Sequence, residues 1–160
     1  LAVVIVLSVL LGSHRSLVSE RGKVEEQFAP IAGDLQDCLD ITANVLTVGE
    51  RYLEESQMAA LEGSRNMLSD WHGISNGYTA YTRLQEEAAA VLDELEECDL
   101  TDKDREYIQG FRTDLASEAD TIARDGYNAA AEQFNSKVLG AFPANILSKL
   151  TFVAPAELFA

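Results

Sequence analysis

The sequence predicts an all-α protein: an up-down-up antiparallel bundle of three long helices plus a short C-terminal helix, preceded by a membrane-anchor helix. Three observations lead there. From Val24 to Val138 the apolar and small residues recur in steps of three and four, the period of helices packed side by side. No segment of useful length alternates apolar and polar residues as a half-buried strand does. Charge is segregated: Leu1 to Gly12 carries none, whereas the 160-residue chain has 12 basic and 27 acidic residues and a net charge of −15.

Composition sets the outer bounds. With 47% hydrophobic residues, 10 Gly and 3 Pro, the chain can build one core, and disordered or collagen-like classes are excluded. An excess of acid argues against a phosphate-backbone ligand, so no nucleic-acid partner is expected.

The N-terminal element comes first. Twelve apolar residues reach only ~18 Å as a helix, against a hydrocarbon core of ~30 Å. The stretch is therefore read as the C-terminal half of a longer transmembrane segment, its lipid-facing residues being Leu1, Val3, Val4, Ile5, Val6, Leu7, Val9, Leu10 and Leu11. Residues 1–16 then form the anchor and juxtamembrane segment, residues 17–160 the bundle, and membrane lipid is the first expected partner. The competing readings are a secretory h-region and a buried core helix, although Gly12-Ser13-His14 makes a poor cleavage site. Arg15, Arg21 and Lys23 follow closely and favour a cytoplasmic bundle on a single-pass protein.

The first bundle helix is expected over 17–54. Its seam runs Val24, Phe28, Ile31, Leu35, Cys38, Thr42, Val45, Gly49, Tyr52, and Pro30 should bend it or mark a start. The turn near Glu54 to Gln57 holds neither Gly nor Pro; without a turn there, the helix would continue to about Trp71. A second helical unit over 57–98, broken at Gly73 to Gly77, carries Leu61, Leu68, Trp71, Tyr78, Tyr81, Leu84, Ala88, Val91, Leu95 and Cys98. Thr101, with Asp104 three residues later, reads as the cap of a third helix over 102–141. Its inward positions are Ile108, Phe111, Leu115, Ala119, Ile122, Gly126, Ala130, Phe134 and Val138, and Pro143 ends it. The three spans would each extend ~57–63 Å. Equal rods would set Cys38 level with residue 73 and ~37 Å from Cys98, which excludes an intrachain disulfide.

Reactive constellations are scarce. In carboxylate-bridged metal bundles Glu-x-x-His supplies the ligands, yet Leu11 and Ser69 stand where the glutamates before His14 and His72 would be. Asp70-Trp71-His72 reads as a helix end, and the two cysteines as small buried hydrophobes. No phosphate loop, zinc-protease pair or nucleophile elbow is present. The expectation is accordingly no catalytic, metal or cofactor site. Asp93 to Asp99 packs five acids into seven residues; it reads as a solvated face, the alternative being a patch for divalent cations or a basic partner.

The last third carries a family signal. Tyr127-Asn128, Phe134-Asn135, Phe142-Pro143, Asn145-Ile146-Leu147, Phe152 and Glu157-Leu158-Phe159-Ala160 resemble the closing signature of the LemA family. Leu17-Val18, Val24, Phe28, Ile31, Asp40-Ile41, Asn44 and Tyr52 agree with its N-terminal half. Asp99-Leu100 is similar to its turn before the last long helix. Phe28 stands where the family has Trp, Asp37-Cys38 where it has paired Arg, Ala43 where it has Pro, and Phe134 where it has a second Tyr. One extra residue separates Phe134 from Phe142, and the Glu-Asn-Arg-Ile motif survives as fragments around Glu118 and Ile122.

The resemblance implies a non-enzymatic, membrane-anchored helical scaffold or adaptor of the bacterial cell membrane, with coiled-coil-like packing, which presents helix faces to protein partners or to copies of itself. Tyr127, Asn128, Phe134, Asn135, Phe142, Pro143 and Asn145 are then the structural or partner-facing signature. Phe142, Ile146, Leu147, Leu150 and Phe152 would cap the far end of the bundle or, if exposed, form an apolar patch. The alternative function is an extracytoplasmic sensory or ligand-binding bundle with Gly73 to Gly77 as its mobile element.

Overall fold

The computed structural model describes residues 2–160, so Leu1 of the expected anchor lies outside the described residues. The all-α bundle class is borne out: among the described residues there are helices and no strand. They are α1 (Ala2–Glu26), α2 (Ala29–Gly49), α3 (Glu55–Ser69), α4 (Ile74–Glu96), α5 (Asp102–Arg124), α6 (Tyr127–Gln133) with π-turns at Phe134–Val138, and α7 (Ala144–Thr151). Packing gathers residues up to Ala29 with Gly126–Phe159 into one compact unit and Pro30–Asp125 into another. Helix α1 runs unbroken through the expected 16/17 division.

The Pro30–Asp125 unit is a ring of four antiparallel helices. From Ile31 to Gly49 the seam read from the sequence is the buried face of α2, where Ile31, Leu35, Cys38, Thr42, Val45 and Gly49 are all buried; Val24 lies on α1 and Phe28 packs on Tyr127 and Phe159 instead, because the chain turns at Gln27 and Phe28. Thr42 is tolerated there because its hydroxyl donates to Cys38 O (2.8 Å) and accepts from Arg65 Nε on α3 (3.2 Å). Gly49 opposite Met58 gives the same α2–α3 register. Helix α2 ends without the run-on to Trp71: Tyr52 N–H donates to Gly49 O, and Glu54 N–H to the Gln57 side chain (2.9 Å), which starts α3. Pro30 sits in the first turn of α2, where a missing N–H is harmless, and the chain turns just before it, at Gln27 and Phe28.

The 57–98 segment is not one interrupted rod. It folds back at residues 70–73, so that Gln57 at the start of α3 bonds Glu94 at the end of α4 (2.7 Å). Gly73 adopts φ 80°, a conformation that favours glycine, and Trp71 lies across Gly77, one turn into α4. Two helices thus occupy the place of one, and Cys38 meets Gln85 (Nε2 to Sγ, 3.8 Å) instead of the level of residue 73. Both thiols are free.

The third expected helix is also divided. Thr101 caps α5 as read, its hydroxyl accepting from Asp104 N–H (3.1 Å). Asp125 is extended (φ −62°, ψ 143°) and stops α5. That inserts one residue into the inward pattern, which becomes Tyr127 and Ala131 where Gly126 and Ala130 were expected. Phe134 stays buried, and the wider π-turn then moves Val138's place to Leu139. In the unit that contains it, this helical segment packs on α1, as does α7.

A methyl group at Gly77 would lie 2.8 Å from Trp71 Cε3 and 3.2 Å from two further ring atoms. Gly77→Ala should therefore destabilise the protein by ~1–3 kcal/mol through overpacking, although alanine is the better helix former. The check is a thermal melt together with the emission maximum of Trp71, the sole tryptophan, which should shift to the red.

Candidate functional site

The signature residues of the last third meet in one place. Tyr127 and Phe134, seven apart, are both buried on one face. Beside them Asn128 and Asn135 hold the C-terminal tail through paired bonds. Asn128 donates to Phe159 O and accepts from Phe159 N–H, each at 2.8 Å. Asn135 does the same with Ala156, at 2.9 and 2.8 Å. The Tyr127 hydroxyl donates to Glu157 O at 2.6 Å. Two helical turns advance ~10 Å, and three residues of an extended chain advance about the same, so the two amides match every third tail residue. Val153, Ala156 and Phe159 accordingly bury their side chains while their neighbours do not. Phe28 completes the clamp, edge-on to Tyr127 (5.2 Å) and tilted against Phe159 (5.3 Å). Burial, with Glu25 and Glu157 nearby, pushes the Tyr127 phenol up to about 12, so it remains a donor at neutral pH.

The other signature residues do not join the clamp. Phe142 is 79% exposed and precedes Pro143 through a cis peptide bond. Asn145 Oδ1 is buried without a hydrogen-bond partner among the described residues. The far-end cap expected of this segment is corrected: Pro143, Ala144 and Leu147 face Gly12, Ser13, Ser16 and Leu17 of α1 across a shallow groove, while Phe142, Ile146, Leu150 and Phe152 point to the exterior. Small residues on α1 let α7 approach closely, whereas the clamp consumes the aromatic-asparagine face that could otherwise have docked a partner.

The anchor residues are bare. Val3, Val4, Ile5, Val6, Leu7, Val9 and Leu11 are between 53% and 71% exposed, and Leu10 is half-buried. Ser8 donates to Val4 O (2.8 Å), which leaves no hydroxyl hydrogen unpaired on this stretch. This N-terminal helix is long and apolar enough to cross a membrane, and its apolar stretch is almost wholly unburied.

Two acidic sites lie in the four-helix unit. Asp34 and Asp37 on α2 face Glu118 on α5, and an oxygen of each lies within 4.8 Å of the others. Carboxylates so placed are the donors a hard divalent cation takes. Asp34 and Glu118 both have raised pKa values, first from desolvation and then from their acidic neighbours. Cys38 beneath them is pushed up to about 12 by burial and by Glu118, Asp34 and Asp37, which holds it as an unreactive thiol. The sequence reading did not single out this group: the three-residue spacing of Asp34 and Asp37 was its one local signal, and only packing adds Glu118.

The second site is Asp104, buried under Tyr52 OH (2.5 Å), Thr101 and a two-pronged Arg51 (2.9 and 3.1 Å). These bonds, led by that of Tyr52, lower its pKa. The run from Asp93 to Asp99 is partly neutralised, since Arg112 bridges Asp93 and Glu96.

Comparison with protein-family models, curated proteins and solved structures finds no match.

Loss of either clamp amide leaves a buried tail N–H and C=O without partners. Asn128→Ala and Asn135→Ala should each cost ~1–3 kcal/mol and speed amide exchange at Phe159 or Ala156 respectively, as read by hydrogen-exchange NMR. Retention of slow exchange in the altered protein would remove the clamp.

The acidic sites give opposite pH signs. Asp34 and Glu118 hold their protons more tightly folded than unfolded, so they add stability as pH falls toward their ordinary values of 3.8 and 4.5. Asp104 is held ionised, so its contribution disappears as pH drops below its ordinary 3.8. Melting temperature should rise as pH falls from 7 toward 4.5 and fall once pH drops below 3.8. Asp34→Asn should reduce the rise and lift the neutral-pH melt by about 1–3 °C, from a like-charge cost of ~0.2–0.5 kcal/mol.

Proposed function

We propose that this chain is a membrane-anchored, non-catalytic scaffold or adaptor of the LemA type, single-pass in the cell membrane, with its helical units on the cytoplasmic side. The observation that carries the anchor is the bare apolar surface of Val3 to Leu11. Such a surface is costly in water and needs no protein cover in lipid. The family reading is supported by convergence: Phe28, Tyr127, Asn128, Phe134 and Asn135, distant in sequence, build one clamp around the tail that carries the rest of the signature. The extra residue between Phe134 and Phe142 falls where the helix widens, Leu139 N–H bonding Phe134 O five residues back, so one residue is absorbed without loss of the clamp. The non-catalytic reading is supported by the thiol of Cys38, buried and held protonated. Function then resides in exposed acidic helix faces, such as the Asp34–Asp37–Glu118 group, offered to a protein partner or to a second copy.

The test is fractionation followed by crosslinking. The full chain expressed in bacterial cells should stay with membranes at alkaline pH. Val6→Arg with Leu7→Arg should release it, each charge opposing insertion by ~2.5–3.5 kcal/mol at mid-membrane. Crosslinking in native membranes should capture a protein or a second copy in a manner lost on reversal of the exposed acids. Wild-type protein in the soluble fraction defeats the anchor, and turnover of a substrate abolished by one bundle substitution defeats the scaffold.

A further inference from the structure

We propose that α7 and the two phenylalanines that bracket it lie in the boundary between headgroups and acyl chains of the membrane that α1 enters. The inference rests on the anchor reading and adds a second, interfacial contact. Three observations meet here.

The first is exposure. Ile146 and Leu150, four residues apart, share one face of α7 at 51% and 60% exposed, and Phe142 and Phe152, just before and just after the helix, are 79% and 92% exposed. Four large apolar side chains gathered on eleven residues form a patch that water does not favour. The second is position. The opposite side of α7 faces Gly12, Ser13, Ser16 and Leu17, which follow directly on the bare Val3–Leu11 stretch of the same helix. The exposed stripe therefore begins where the anchor's apolar surface ends, and the two surfaces belong to one packed unit.

The third is charge. All 27 acids lie outside two segments, residues 1–19 and 133–156, which are the segments that carry α1's apolar half and α7. The charged side chains they do hold are Arg15, Lys137 and Lys149, all of the sign attracted to anionic headgroups. In a chain this acidic, the absence of acid from α7 and from α1 up to Ser19 is what a lipid surface requires. A second copy of the chain would not require it. A short helix with apolar residues on one side and lysine on another has the composition of an interfacial segment.

Depth-resolved quenching tests this on the full chain in nanodiscs of mixed zwitterionic and anionic lipid. In a Trp71→Phe background, tryptophan is placed singly by Phe152→Trp, Ile146→Trp or Val6→Trp; the first two sites are exposed and make no demand on the core. Lipids brominated near the headgroup end of the acyl chain should quench residues 152 and 146 about twofold or more. Quenching at Val6 with none at 146 and 152 overturns the interfacial helix and leaves the anchor standing. No quenching at Val6, whether by lipids brominated near the headgroup or by lipids brominated deep in the acyl chain, removes the anchor and this proposal with it. Blue-shifted, unquenched emission from residue 152 that appears only with two copies per disc assigns the stripe to self-association and likewise overturns it.

Discussion

Burial of one face of α2 is the constraint on which the four-helix unit depends. Ile31, Leu35, Cys38, Thr42 and Val45 are withdrawn from solvent, and α3, α4 and α5 each supply residues against that helix or one another in antiparallel register. Each fully buried aliphatic side chain contributes ~1.5–3 kcal/mol relative to exposure. The polar interruptions of the seam are satisfied locally, Thr42 by its own preceding turn and by Arg65. Charged groups are kept to the ends and rims, where Arg51 and Tyr52 close on Asp104 and Asp34, Asp37 and Glu118 stand together near solvent.

The other unit solves a different problem. Helix α1 carries an exposed run of aliphatic side chains from Val3 to Leu11, and its later turns gather the C-terminal segment. What holds that segment is mostly backbone recognition: two asparagines read the peptide groups of Ala156 and Phe159, and the tail's own side chains contribute at every third position. The matching of a seven-residue helical step to a three-residue extended step makes the arrangement tolerant of tail sequence and intolerant of shifts in helix register. The π-turn at Phe134–Val138 begins one residue before Asn135; the widened turn alters the register of Leu139, and both amides keep their bonds to the tail.

Turns were harder to read than faces. The α2 seam was legible almost residue for residue, because a helix buried on one side writes its burial in steps of three and four. The fold-back at 70–73 was visible only as a glycine-rich break, since a glycine permits a reversal or a mere interruption and local chemistry does not choose. Asp125-Gly126 was passed over inside a periodic run, and the next two inward positions were displaced by one residue, to Tyr127 and Ala131. The clamp was half legible: equal spacing put Tyr127 with Phe134 and Asn128 with Asn135 on shared faces, but nothing in the spacing said that the amides hold the chain's own tail.

By itself, then, the sequence determined the helical class, the bare apolar front of α1, the buried stripe of α2 and the cap at Thr101, all consequences of local periodicity and of which side chains leave water. Tertiary structure alone decided that 57–98 is a hairpin, that Asp34 and Asp37 meet Glu118, that Asn128 and Asn135 close on the tail, and that α7 lies against the turns following the apolar front. Those are contacts between residues far apart in the chain. Their pairing is selected by how elements fit against one another, a property that no single segment carries.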